Sequence, residues 1–298
     1  MPARKNAVAL VSLLAGAVVW GLTWHPYRTL ESMGVSAALG AVLTYCVAFL
    51  LGLFVLRRRL SGEIRGFRLR SSGLLLAITL TAGGCNLGYV LGTVHGEVMR
   101  VLLLFYLAPL WTVLLARLLL DERVGGVGAA VIALSLIGAI VMLWSPSLGL
   151  PLPANGAEWL GLAAGFLFAA ANVLIRKADA LSIELKSMAV FTGVILMGLI
   201  ALPFEAAPPA LPPPGGWLLI GIVGLVLLAI NLVVQHGLMH TPANRAIVIF
   251  LFELVVAAFS SWLLAGEAMS LKEWIGGAMI VAASLFSGKL AAREAEPG

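Results

Sequence analysis

The chain has 298 residues, of which 61% are hydrophobic and only 11% charged, and its mean hydropathy is +1.05. A soluble domain keeps roughly 25% charged residues to face water, so a soluble fold of this size is excluded and the sequence reads as an integral membrane protein. The basic balance, net +5 with a pI near 9.6, raises a nucleic-acid partner, which the placement of the charges then removes.

Lipid offers no partner to a free backbone group, so the fold is either spanning helices or a closed barrel. Barrel strands alternate over about 10 residues. Here the apolar runs are about 20 residues long, enough to cross a core of ~30 Å, and the expectation is an all-α protein with ten spans.

The first span covers 6–26. Its basic start resembles a secretory leader, but its apolar run from Ala7 to Trp24 exceeds the usual ~7–15 residues, which predicts a retained helix. It carries Trp20, Trp24 and Tyr27 on one helical face. Aromatics also gather at membrane interfaces, which suits Trp24 and Tyr27; Trp20 lies deeper and suits a cavity. The second span, 35–56, leads into the arginine-rich RRRLSGEIRGFRLR (57–70). The third, 72–94, places Asn86, Tyr89 and Thr93 on one face, with His95 beyond as a coupling or gating candidate. The fourth, 97–119, holds Trp111 and leads to Glu122.

The fifth span, 124–144, and the tenth, 271–290, have no charge in their interiors. They carry Ala129/Ala133 and Ala278/Ala282, spacings that permit close helix packing, and read as scaffold or a dimer face. The sixth, 158–178, has Asn172 as its deep polar group, and the seventh covers 186–204. The eighth, 217–238, carries Asn231 and Gln235 on one face with His236 turned away, and the ninth, 244–265, carries Glu253. The connections 145–158 and 205–216 are rich in Pro and Gly and read as loops. Cys46 and Cys85 lie inside apolar runs and read as packing residues. No spacing of cysteines or of His95, His236 and His240 suggests a metal or cofactor site.

With the N-terminus in the cytoplasm, sixteen of the nineteen Lys and Arg fall on the inner side, leaving Arg28, Arg100 and Lys272 outside. The positive-inside rule then places both termini, including the tail 291–298, in the cytoplasm. The basic excess is a topology signal and not a nucleic-acid footprint.

A shift of 145 residues lays NLGYVLGTVHGEVMR (86–100) on NLVVQHGLMHTPANR (231–245) and LLLDE (118–122) on LLAGE (263–267). Asn86 meets Asn231, Arg100 meets Arg245, Phe105 meets Phe250 and Glu122 meets Glu267, with no gap. Each repeat, 6–144 and 158–290, holds five spans. Five is odd, so the second enters the membrane inverted, and Asn86 and Asn231 sit at mirrored depths, ~21 Å from opposite faces. Inverted repeats are the architecture of secondary transporters, with the site at the repeat interface.

WGLTW (20–24), APLWTVLLARLLLDERV (108–124) and FELVVAAFSSWLLAGEAMS (252–270) resemble the two EamA repeats of the drug/metabolite transporter superfamily, and the likeness covers 6–290. Within that superfamily the chain is most similar to the YddG-type bacterial aromatic amino-acid exporters. The resemblance implies a carrier of the bacterial inner membrane that exports amino acids by alternating access. It also implies a central cavity lined by spans 1, 3, 4, 6, 8 and 9. One departure stands out: Pro109 in the first repeat is matched by Leu254 in the second, so a kink expected in the fourth span is not expected in the ninth.

Polar groups inside membrane helices face a cavity or the bundle interior. Trp20, Trp24, Asn86, Tyr89, Trp111, Asn172, Asn231, Gln235 and Glu253 are therefore the substrate-binding candidates, although any single amide could instead tie two helices together. Aromatic walls with a few amides suit apolar or aromatic amino acids and broad specificity. With one acid added they also suit multidrug or quaternary-amine cargo. No Lys or Arg stands at midplane for an obligate anion.

Glu253 is nine residues past Asn244, ~14 Å deep and so near the midplane. A charge there costs at least ~3 kcal/mol, so the group is paired, wetted or protonated. It binds a substrate ammonium, carries a coupled proton, or is structural, bonded to backbone or to an amide such as Gln235. Glu122 and Glu267 are gating candidates or solvated boundary residues. No G-x-x-x-x-G-K-[ST] loop occurs, and no Ser/His, paired-Asp or metal constellation suggests an enzyme; a channel is the other rival class. The expected partners are a small molecule and the bilayer, with the chain a monomer or weak dimer.

Overall fold

The computed structural model describes residues 2–65, 69–96, 98–144, 146, 152–204, 211–265 and 270–294; Glu267 lies outside the described residues. Among them the regular structure is helical: α1 (Pro2–Leu22), α2 (Trp24–Ser32), α3 (Ala37–Arg65), α4 (Leu69–His95), α5 (Val98–Phe105), α6 (Ala108–Leu120), α7 (Gly126–Leu143), α8 (Gly156–Lys177), α9 (Ile183–Ala201), α10 (Pro214–His240), α11 (Ala243–Phe250), α12 (Phe252–Ala265) and α13 (Leu271–Glu294). Nine stretches of the described residues are long and apolar enough to cross a membrane, and α13 runs beside α7 as the tenth rod.

Helix ends follow local chemistry. Asn155 caps α8 by accepting from the Glu158 amide (3.0 Å), while its own side-chain NH2 donates back to the Glu158 carboxylate (2.9 Å). The far end of α8 is capped from within. Lys186, fully buried, donates to the carbonyls of Ala178 (2.9 Å) and Ile175 (3.2 Å). Terminal carbonyls have no partner inside their own helix, so this ammonium serves α8 instead of the inner water layer where a topology count places it.

Three of the ten expected spans are broken. The first breaks at Thr23, because Pro26 has no N–H for the Leu22 carbonyl and the Thr23 hydroxyl and amide both turn back to the Trp20 carbonyl (2.6 and 3.1 Å). The fourth breaks between Phe105 and Ala108, because Pro109 has no N–H for the Phe105 carbonyl. The backbone there tightens, with Leu107 N–H to Leu104 O (3.3 Å) and Leu110 N–H to Leu107 O (2.9 Å).

The ninth span breaks at the matching place, which corrects the expectation drawn from Leu254. α11 ends at Phe250, the repeat mate of Phe105, and Leu254 N–H bonds Leu251 O (3.1 Å). Tertiary packing does here what proline does in the first repeat. The Phe250 ring is held between Trp20 and Phe168. Gly21 admits the Glu253 carbonyl so closely that a Cβ on Gly21 would lie 2.7 Å from it.

The repeat is visible in the element boundaries. Shifted by 145, Leu69–His95 falls on Pro214–His240 and Val98–Phe105 on Ala243–Phe250. The packing obeys the same symmetry: α4 lies on α8 and α9, and its mate α10 lies on α1 and α3. α5 and α6 lie on α8 as α11 and α12 lie on α1, while α3 pairs with α9 and α7 with α13. Each repeat thus packs chiefly on the other. Glycines make the closest crossings, Gly83 with Gly193 and Gly138 with Gly276. The α7–α13 seam is therefore internal and uses Gly138 and Gly276, whereas Ala129, Ala133 and Ala278 are exposed.

A Cβ on Gly276 would lie 2.5 Å from the Gly138 carbonyl. Gly276→Val is expected to cost about 1–3 kcal/mol through overpacking, read as a lowered thermal unfolding midpoint of the purified protein. Gly221→Ala, where an added Cβ meets nothing within 4 Å, is expected to leave the midpoint in place; equal midpoints would contradict the tight crossing.

Candidate functional site

A cavity of about 210 Å³ lies at the centre of the bundle, where both repeats contribute walls. Seven of the sequence candidates line it: Trp20 from α1, Asn86 and Tyr89 from α4, Asn172 from α8, Asn231 and Gln235 from α10, and Glu253 from the first turn of α12. Among the described residues α7 and α13 contribute none to the lining.

The other candidates lie elsewhere. Trp24 donates from Nε1 to the Ser260 hydroxyl (2.8 Å) and so ties α2 to α12. Tyr27 pairs its hydroxyl with that of Thr44 (2.8 Å), tying α2 to α3. The break at Thr23 carries both aromatics off the Trp20 face. Trp111 packs edge-on against Phe166, 5.6 Å between centroids, and lines no part of the cavity. His95 is exposed at the end of α4, its Nδ1 3.0 Å from the Leu91 carbonyl. Glu122 sits at an end of the bundle.

The cavity amides are the notable polar groups. Asn172, Asn231 and Gln235 are only 7%, 9% and 2% exposed. Asn172 Nδ2, Asn231 Oδ1 and Gln235 Oε1 nonetheless have no protein partner. Buried polar atoms are normally bonded, and an amide that merely tied two helices together would be satisfied by them. The Glu253 carboxyl also receives no hydrogen bond from any described residue, Gln235 included.

Around these groups runs a belt of rings. Trp20 meets Phe250 (5.5 Å), Phe250 meets Phe168 (5.8 Å), Phe168 meets Phe105 (5.5 Å), and Phe105 meets Tyr89 (5.5 Å) and Tyr106 (5.2 Å). Phe105 and Phe250, the residues at which the first parts of the fourth and ninth spans stop, both rest on Phe168. The sequence reading missed Tyr45, Phe105, Tyr106 and Phe168, and it treated the lining residue Cys85 as packing alone. It also left out the second and seventh spans, which supply Tyr45, Val190 and Val194. A search for deep polar groups passes over such residues; the aligned pair Phe105/Phe250 was the available signal.

Ion pairs tie α8 at both ends. At its start, Glu158 accepts from Arg100 Nε (2.7 Å) and Nη2 (2.9 Å), and Arg100 also donates to the Leu152 carbonyl (2.9 Å). At its far end, Arg176 Nε donates to Glu122 (2.5 Å) and Nη1 to the Thr241 carbonyl (2.8 Å). Glu122 accepts as well from the Ala243 amide (3.2 Å). Arg176 thereby joins the loop after α6 to the turn between α10 and α11.

Removing Arg176 leaves Glu122 and the Thr241 carbonyl short of a donor. Arg176→Gln is expected to lower stability by about 1.5–3 kcal/mol, the range for hydrogen bonds to charged groups. Arg59 pairs with Glu184 with its side chain 75% exposed, and Arg59→Gln is expected to cost about 0–1 kcal/mol. Thermal unfolding of the two variants side by side checks the order; the reverse order would sink this reading of the clamp.

No curated protein matches this chain. A solved structure described only as "Crystal structure of protein" superposes with a TM-score of 0.75, covering 96% of this chain and 98% of its own, at 19% identity; at that identity the likeness speaks for the fold alone. The EamA-like transporter family matches residues 7–144 and again 155–288. Together those segments span nearly the whole chain, and the chain belongs to the EamA-like transporter family of the drug/metabolite transporter superfamily.

Proposed function

We propose that this transporter is a secondary carrier of the bacterial inner membrane, with both termini cytoplasmic, that exports apolar or aromatic amino acids by alternating access. The observation that carries the reading is the set of three buried amides, each with an unpartnered atom, beside a carboxyl group that accepts no hydrogen bond from the described residues. Asn172, Asn231 and Gln235 each carry one donor and one acceptor group, so the three amides lining the cavity can serve a carboxylate and an ammonium together. A zwitterion needs both kinds within one cavity, and the ring belt from Trp20 to Tyr106 offers its side chain large apolar contact with loose geometric demands.

The size of the cavity supports a small metabolite. Drug-sized ligands occupy pockets of about 300–1,000 Å³, and this cavity is about 210 Å³. That favours amino acids over multidrug or quaternary-amine cargo. Alternating access rests on the inverted repeat, whose two near-equivalent packings open to opposite sides. Among the three roles for Glu253, the missing hydrogen-bond donor supports ammonium binding or proton carriage over a purely structural bond.

Proteoliposomes holding one labelled aromatic amino acid test the assignment. Saturable, counter-flow-stimulated flux is expected, with competition by amino acids and little by aromatic cations or nucleosides. A panel in which no amino acid competes would overturn the cargo, and linear, unsaturated flux would indicate a channel. In the same assay Trp20→Ala is expected to weaken binding of aromatic substrates more than of small ones, and equal effects would remove Trp20 from the wall. Glu253→Gln is expected to flatten the pH dependence of flux and lower amino-acid affinity; unchanged flux at every pH would leave only the structural role.

A further inference from the structure

The last turn of α10 carries His236 and His240, four residues apart and so on one helical face. Neither lines the central cavity. His236 is half-buried and His240 exposed, and their rings lie 4.3 Å apart, centroid to centroid, tilted by 35°. His240 Nδ1 is 2.8 Å from the His236 carbonyl. A carbonyl oxygen only accepts, so Nδ1 of the neutral ring holds the proton and Nε2 keeps a free lone pair. His236 makes no hydrogen bond to a described residue through either ring nitrogen.

Two imidazoles one turn apart on a helix are spaced to share a metal ion. With metal–nitrogen bonds of about 2.0–2.1 Å at a tetrahedral angle, two ligand nitrogens sit about 3.4 Å apart. Rings with centroids 4.3 Å apart come to that separation by side-chain rotation alone. The bond from His240 Nδ1 to a carbonyl is the usual support behind a ligating histidine, fixing the ring and making its other nitrogen more basic. The place also favours a cation, because the last carbonyls of a 27-residue helix carry partial negative charge. Arg176 approaches the same turn at the carbonyls of Leu238 (3.5 Å) and Met239 (3.4 Å), but its charge is matched by Glu122. The first repeat lacks the pair. His95, the mate of His240, makes the same bond, with Nδ1 3.0 Å from the Leu91 carbonyl, but the mate of His236 is Leu91 itself, so α4 ends on a single imidazole.

We propose that His236 and His240 together bind a divalent transition-metal ion, of the zinc or nickel kind, at the end of α10. The sequence reading set these histidines aside for want of neighbouring acids; a pair one turn apart on one helix needs none. Among the described residues no third His, Cys, Asp or Glu completes the set, so water fills the other positions and the site is open. Imidazole nitrogens suit zinc, copper and nickel, whereas magnesium and calcium take oxygen ligands. The ion bridges the turn that ends α10, the turn whose carbonyls Arg176 takes, and holds it helical.

The test uses the full chain in detergent, freed of any affinity tag and stripped of metal with a chelator, and titrates Ni2+ by calorimetry. One ion per chain is expected, with no competition from Mg2+ at the same concentration. His240→Ala, at an exposed side chain, and His236→Ala are each expected to weaken Ni2+ binding by at least about tenfold, the lower end of what even a residue behind the ligands contributes. His95→Ala removes the anchored histidine of the first repeat and is expected to leave the affinity in place. Ni2+ is also expected to raise the unfolding midpoint of the unaltered chain and of His95→Ala, each against its own metal-free value, and not that of either pair variant. No saturable binding, or an affinity that either pair variant leaves unchanged, would overturn the site. A loss in His95→Ala equal to that in His240→Ala would assign the ion to solitary helix-end imidazoles and overturn the pair.

Discussion

Inside a bilayer a backbone N–H can bond only to protein, so a helix that stops at midplane must be surrounded by protein or line a cavity. This molecule stops two helices there. α5 ends at Phe105 and α11 at Phe250, and the tightened turns that follow meet most of their needs locally. The two terminal rings close on Phe168 from either side. Those interruptions shape the centre of the bundle. They bring Phe105 and Tyr106 to the cavity from one repeat and turn Glu253 into it from the first turn of α12.

The frame is symmetric and the chemistry is not. Trp20 and Gly165 are repeat mates. Trp20 projects a ring into the cavity, whereas Gly165 is bare so that the backbone of Phe105 can approach α8. Ala108, the mate of Glu253, is buried among apolar neighbours and does not reach the cavity. α8 is tied at both ends by Arg100–Glu158 and Arg176–Glu122, while α1, its mate, has Leu13 where α8 has Glu158. The duplicated backbone builds a central chamber, and departures from the duplication equip it.

How much of this can be read from residues alone depends on the rule applied. Membrane class, helix class and repeat follow from composition and from identities such as Asn86/Asn231, because lipid leaves so few alternatives. Deep amides and the lone acid were legible as cavity groups because hydrocarbon penalises them anywhere else. Helical-wheel counting failed where the helix is discontinuous. Trp24 and Tyr27 share a face with Trp20 only if the helix continues through Thr23, and it does not. Trp111 lies deep in the fourth span but turns to Phe166 and away from the cavity, a choice between neighbours that depth alone does not show. Lys186 reads as a loop charge because its partners are carbonyls of another helix, which no one-dimensional pattern shows. The kink at Leu251 was invisible for a related reason. Its cause is the packing of Phe250 and Gly21, and Pro109 is only the cause in the other half.

The reciprocal packing of the repeats also governs biogenesis. α3 rests on α9, α4 on α8 and α9, α5 and α6 on α8, and α7 on α13. When ribosome and translocon have delivered the first 144 residues, these helices stand in lipid with their glycine seams facing nothing. Gly83 and Gly138 acquire their partners, Gly193 and Gly276, only when the second half is inserted. Membrane helices associate through such close packing and not through a solvophobic drive, so the early helices have little to hold them together while they wait. A product that terminates after α7 therefore lacks the surfaces on which α3, α4, α5, α6 and α7 chiefly rest.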